Sequence, residues 1–106
     1  MADDIEIWMV AGIYQARTGR EEDLAAVLAR YTVLTRAVER CRNVDLVMSA
    51  ATPGRFLVVE KWDDPDAQRA HLDSEVMVTM ATDATAMLAG APELDLWQTI
   101  SAYDVE

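Results

Sequence analysis

The chain is poor in the residues that staple or interrupt structure. Its 106 residues include one cysteine (Cys41), one histidine (His71), one lysine (Lys61) and one phenylalanine (Phe56). A lone cysteine excludes an internal disulfide and a cysteine-based zinc site. Four glycines and three prolines leave no room for a flexible linker or a low-complexity tract. No apolar run approaches the roughly 20 residues of a membrane helix. Cations are scarce too: nine against 19 carboxylates, a net charge of -10 that repels a phosphate backbone. Any chemistry that needs an imidazole must use His71.

What is present is apolar and regularly spaced. Hydrophobic residues make up 52% of the chain, enough for a core and too many for disorder. The length fits one domain, residues 1–106. The start, Met1-Ala2-Asp3-Asp4, is acidic and unlike a signal peptide, so a cytoplasmic location with no membrane and no nucleic-acid partner is expected.

Residues 5–14 are expected to form a strand that is apolar on both faces. Thr18 and Glu21 have capping-box spacing, and Leu24, Val27, Leu28, Tyr31, Leu34 and Val38 continue at helical spacing to about Cys41. Residues 44–50 read as a strand, Thr52-Pro53-Gly54 as a turn and residues 55–62 as its hairpin partner. Asp64-Pro65 opens a second helix. A third begins at Asp73-Ser74, with Val76, Met77, Met80, Ala81, Ala84, Met87 and Leu88 as its apolar stripe, and stops at Gly90-Ala91-Pro92. Residues 94–103 read as a final strand. The order β-α-β-β-α-β predicts an α+β, ferredoxin-like split βαβ fold with an antiparallel sheet. Helices then cover one sheet face. The other, expected to carry Trp8 and Val10, stays apolar and marks an interface with a second copy.

Several residues resemble the antibiotic biosynthesis monooxygenase family: Val59-Glu60-Lys61-Trp62, the acidic turn Asp63-Asp64, then Ala67 and His71, together with Arg17-Thr18-Gly19-Arg20-Glu21-Glu22 before the first helix. The resemblance implies a dimeric α+β barrel with a pocket between helices and sheet in each subunit. The family's members include cofactor-independent oxygenases of aromatic polyketides and quinols, and haem-degrading enzymes. Positions matching the haem degraders' strand asparagine and axial histidine are Ala11 and Met80 here, so no haem is expected. Of the polyketide oxygenases' site residues only the tryptophan matches, at Trp62; Ala11 and Val58 stand at their asparagine positions.

Oxygenation without a cofactor needs an electron-rich substrate anion, because triplet oxygen reacts slowly with closed-shell molecules. A protein serves by favouring that anion and excluding water. The candidate catalytic residues are Trp62, as flat wall and N–H donor to an oxyanion, His71 as base, and Glu60 as its partner. The packed alternatives are a core tryptophan, a histidine bonded within the fold beside Ala67 and Ala70, and a glutamate paired with an arginine. Met48, Met77, Met80, Met87 and Tyr31 are candidate substrate-binding residues, since thioethers adapt to flat apolar molecules. Asp63, Asp64 and Asp66 sit at a helix start, where capping outweighs metal binding. Cys41, placed near a helix end, is expected to be unreactive. The leading expectation is a homodimeric monooxygenase for an aromatic, phenolic or quinol-like small molecule, with no cofactor and no metal. The rivals are an isomerase or cyclase using the same pocket without oxygen, and a non-catalytic dimer that binds a small apolar ligand.

Overall fold

Strand alternation and helix caps decide most of the architecture. The computed structural model describes residues 7–101. In order these are β1 (Trp8–Gln15), α1 (Glu21–Arg36), β2 (Cys41–Met48), β3 (Arg55–Trp62), α2 (Pro65–Leu72), α3 (Glu75–Ala84), a 3₁₀ turn (Thr85–Met87) and β4 (Glu93–Gln98). Among the described residues the strands form one antiparallel sheet in the order β2-β3-β1-β4, the split βαβ arrangement. The expected strand residues Ile5, Glu6, Ala102 and Tyr103 lie outside the described residues, and β4 ends at Gln98, short of the expected extension through 99–101.

Helix starts follow their caps. The Asp64 side chain accepts from Asp66 N–H with Pro65 in the first turn, and Ser74 accepts from Met77 N–H to open α3. The first helix differs from expectation. It starts at Glu21 without a side-chain cap, and Glu21 reaches back to the Gly19 N–H instead. It also ends at Arg36 rather than near Cys41. Cys41 must pair with Trp62 to open β2, so the chain reverses over 37–40, with Arg40 in a left-handed conformation (φ 76°). Arg36 then donates to the Val44 carbonyl and locks the turn against β2.

The helix-facing side of the sheet carries Val10, Gly12 and Tyr14 from β1, Phe56, Val58, Glu60 and Trp62 from β3, and Val44 from β2, all buried. Inward positions of α1 (Leu24, Leu28, Tyr31, Thr35) and Met80 and Ala84 of α3 close this core. The open face carries Met9, Ala11 and Ile13 with Leu57 and Val59, each half-buried. Val10 therefore points inward, the reverse of the sequence expectation. Apolar residues on both faces hide which face the helices cover; in the structure Tyr14, Phe56 and Val58 share one buried core with Leu24 and Leu28 of α1.

Candidate active site

Four polar side chains meet between α1, α2 and β3, where an apolar core would be expected. Glu60 lies two residues before Trp62, so both project to the helix side, and the Trp62 indole N–H donates to Glu60 Oε1 at 3.0 Å. From α1, the Tyr31 hydroxyl donates to Glu60 Oε2 at 2.5 Å and lies 2.9 Å from His71 Nε2. From α2, His71 tilts against both aromatic rings, with centroids 5.1 Å from Trp62 and 5.6 Å from Tyr31. Its other nitrogen, Nδ1, lies 3.3 Å from Ser74 Oγ, and Thr35 Oγ1 lies 3.5 Å from Nε2. Glu60, His71 and Thr35 are buried, and Trp62 is wholly so. Among the described residues no buried side-chain polar atom lacks a partner.

The electrostatics follow from a carboxylate that two donors hold inside the protein. A 2.5 Å O–H···O contact is in the range of a charge-assisted bond to an ionised acceptor. Burial and the Glu60 charge raise the Tyr31 phenol far above its ordinary value, and the same two causes push Tyr14 up to about 12. Burial lowers the His71 pKa more than Glu60 raises it, so the imidazole is neutral at pH 7. Cys41 opens β2 rather than closing α1. Burial first, then Glu60, raises its thiol to about 11, which leaves it protonated and unreactive.

Above this cluster a groove of about 490 Å³ runs between α1 and α3, a volume suited to a small molecule. Val27, Tyr31 and Leu34 line it from α1 and Val76 and Met80 from α3, with Arg30, Glu75 and Asp83 supplying charge. Tyr31 thus belongs to both the groove and the buried cluster.

The structure brings Glu60, Trp62, His71 and Tyr31 together. Met80 joins Tyr31 in the groove, and Met77 packs half-buried beside it on the core. Met87 lies in the 3₁₀ turn, where its carbonyl accepts from Arg17 N–H. Met48 pairs with Phe56, four positions along β3 from Glu60, and is 68% exposed, so it lies away from the cluster. Two expected roles change. The Trp62 N–H is taken up by Glu60 and its ring has no exposed wall, so its work is to hold the carboxylate. Among the described residues the partners of Glu60 are a phenol and an indole rather than an arginine. The face His71 shares is also different: its buried neighbour on α2 is Gln68, while Ala70 is exposed. Asp63 pairs with Arg42 at 2.7 Å, Asp64 caps α2, and Asp66 pairs with Arg69 at 3.0 Å. Among the described residues no three His, Cys, Asp or Glu side chains gather as a metal site. The sequence reading missed Ser74 and Thr35. Their signal was spacing: Ser74 is three residues after His71, and Thr35 is four after Tyr31.

One helical layer on an antiparallel split-βαβ sheet, with an acid–phenol–imidazole cluster beneath a groove in that layer, defines a small ferredoxin-like α+β protein with an internal polar site. The chain belongs to the antibiotic biosynthesis monooxygenase family, whose profile matches residues 7–82. Solved structures share the fold. NE2512 of Nitrosomonas europaea, a protein of unknown function, is 20% identical with a TM-score of 0.86, over 96% of this chain and 97% of that one. Rv0793 of Mycobacterium tuberculosis is 21% identical with a TM-score of 0.84, over 91% and 97%. An antibiotic biosynthesis monooxygenase is 18% identical with a TM-score of 0.81, over 89% and 99%. No curated protein matches the sequence.

Proposed function

We propose that the protein is a cofactor-independent monooxygenase that binds a phenolic or quinol-like aromatic molecule in the α1–α3 groove. The observation that carries this reading is the buried Glu60 carboxylate, held by Tyr31 and Trp62 and joined through Tyr31 to a neutral His71. Such a cluster is a proton acceptor in a dry site, which is what forming a substrate phenolate requires. The phenolate passes one electron to oxygen, and the radical pair joins as a carbon–peroxide bond. The cluster returns its proton to the distal peroxide oxygen. The oxygenated ring carbon then gives up its own C–H proton, and that bonding pair forms the carbonyl as the O–O bond breaks. The distal oxygen leaves with both protons as water. One oxygen atom stays as a quinone carbonyl, and phenol plus O₂ gives quinone plus water, with no external reductant.

In this reading a second copy covers the open sheet face, so that the functional unit is a homodimer. Oxygen uptake with a panel of phenols and naphthohydroquinones, corrected for autoxidation, tests the activity. The account expects uptake that saturates with substrate and falls by about 10²–10⁴ in Glu60→Gln. One feature favours a second reading: nothing in the cluster is particular to oxygen, and an isomerase would use the same proton transfer. Deuterium exchange into an enolisable ketone without oxygen uptake would select that reading.

A further inference from the structure

Ser74 occupies the break between α2 and α3, three residues from His71 and directly before the groove residues Glu75 and Val76. Its hydroxyl oxygen accepts the Met77 N–H at 3.2 Å, which leaves its single hydrogen for His71 Nδ1 at 3.3 Å. The far end of the chain is fixed in the same way. The Trp62 indole can only donate, so Glu60 must accept, and Tyr31 gives its one proton to Glu60. His71 Nε2 must then carry the ring proton and donate it to the Tyr31 oxygen. Every hydrogen bond from Ser74 inward therefore points toward Glu60.

Ser74 is half-buried at the helix break, beyond the Glu75 end of the groove. We propose that Ser74 is the outer port of a proton wire, Ser74–His71–Tyr31–Glu60, through which a hydroxylic molecule that extends from the groove to this break loses its proton to the buried carboxylate. The step balances. The ligand proton moves to Ser74 Oγ, the Ser74 proton to His71 Nδ1, the Nε2 proton to the Tyr31 oxygen, and the Tyr31 proton to Glu60 Oε2. Four O–H or N–H bonds form as four break. The negative charge passes from Glu60 to the ligand oxygen, and the imidazole changes tautomer without becoming charged. The groups facing His71 support this. Tyr31 and Thr35 come from α1, Glu60 and Trp62 from β3, and Ser74 from the helix break, and none of them is a cation. The identity of the ligand rests on the oxygenase reading; the direction of the wire does not.

Because His71 is the only histidine, ¹⁵N-histidine labelling gives one ring to read by NMR. At neutral pH the wire requires a neutral ring with its proton on Nε2 and a bare Nδ1. Ser74→Asp keeps an acceptor for the Met77 N–H but removes the hydrogen offered to Nδ1, so the ring should become Nδ1-protonated; Ser74→Thr should leave it as in the wild type. A wild-type ring protonated on Nδ1, or one indifferent to Ser74→Asp, overturns the wire. In turnover with a naphthohydroquinone, Ser74→Ala should lower kcat by about 10²-fold with KM little changed, and Ser74→Thr should restore it. Wild-type turnover in Ser74→Ala overturns the port and leaves the oxygenase reading intact. If the wild type takes up no oxygen, that reading fails and the ring tautomers alone decide the wire.

Discussion

The Tyr31 hydroxyl works in both directions, donating its proton to Glu60 at 2.5 Å and accepting from His71 Nε2 at 2.9 Å. Removing its hydroxyl in Tyr31→Phe leaves a carboxylate oxygen and an imidazole N–H buried without partners. The expected loss is about 1–3 kcal/mol for such a group, read as a lower urea midpoint at unchanged slope. The titrating groups also set a pH window. His71 binds its proton less readily folded than unfolded, so its contribution is full above the unfolded value of 6.5 and is lost as pH falls through the lower folded value. Tyr14 and Tyr31 are raised, so theirs is full below 10.0 and is lost as pH rises, for Tyr14 through about 12. The Cys41 thiol is raised too, from 9.0 to about 11, so stability measured by thermal melting should be flat between about pH 6.5 and 9 and decline on both sides. In His71→Phe the acid-side decline attributable to the imidazole should vanish.

At the level of elements, Arg40 makes the reversal between α1 and β2 in a conformation that normally falls to glycine. The left-handed backbone costs a side-chain-bearing residue about 1–2 kcal/mol, and glycine gives back part of that through its looser unfolded state. Arg40→Gly should therefore raise stability by about 0.5–1 kcal/mol in urea melts, since the Arg40–Asp64 pair at 3.6 Å is exposed. This is also where the sequence was least legible. Asp64-Pro65 and Asp73-Ser74 announce their helices through capping chemistry, and β3 appears at the expected residues. The end of α1 has no glycine or proline to mark it. Val38 continues the helical spacing although the pairing of Cys41 with Trp62 ends the helix two residues earlier. The candidate site was half legible for a related reason. Strand alternation puts Glu60 beside Trp62, but that Trp62 donates to Glu60 rather than to a ligand depends on tertiary distances of a few tenths of an ångström.

For the whole molecule, the uncovered surface is the sheet. The face away from the helices carries Met9, Ala11, Ile13, Leu57 and Val59, with Trp97 57% exposed beside them on β4. Among the described residues β4 is an edge strand, and Leu94 and Leu96 on its other side are about half exposed. A second copy seated on this face would bury an interface of about 800 Å² per subunit or more. Sedimentation at micromolar concentration should show a dimer. Val59→Asp should give a folded monomer, because Val59 lies on the open face. Val10→Asp should unfold the chain, because Val10 is buried against the helices. A wild-type monomer would remove the homodimer from the account and leave the buried cluster untouched.

The central claim is that Glu60 receives the substrate proton and that oxygen then reacts with the anion unaided. It is tested most directly by single-substrate oxygen uptake in metal-chelated buffer, comparing wild type with Glu60→Gln after circular dichroism has shown both to be folded. Glutamine keeps the shape and the bond from Trp62 but cannot take a proton. The account predicts saturable uptake by the wild type and a loss of about 10²–10⁴ in kcat for the variant. Equal turnover by the two proteins would contradict it.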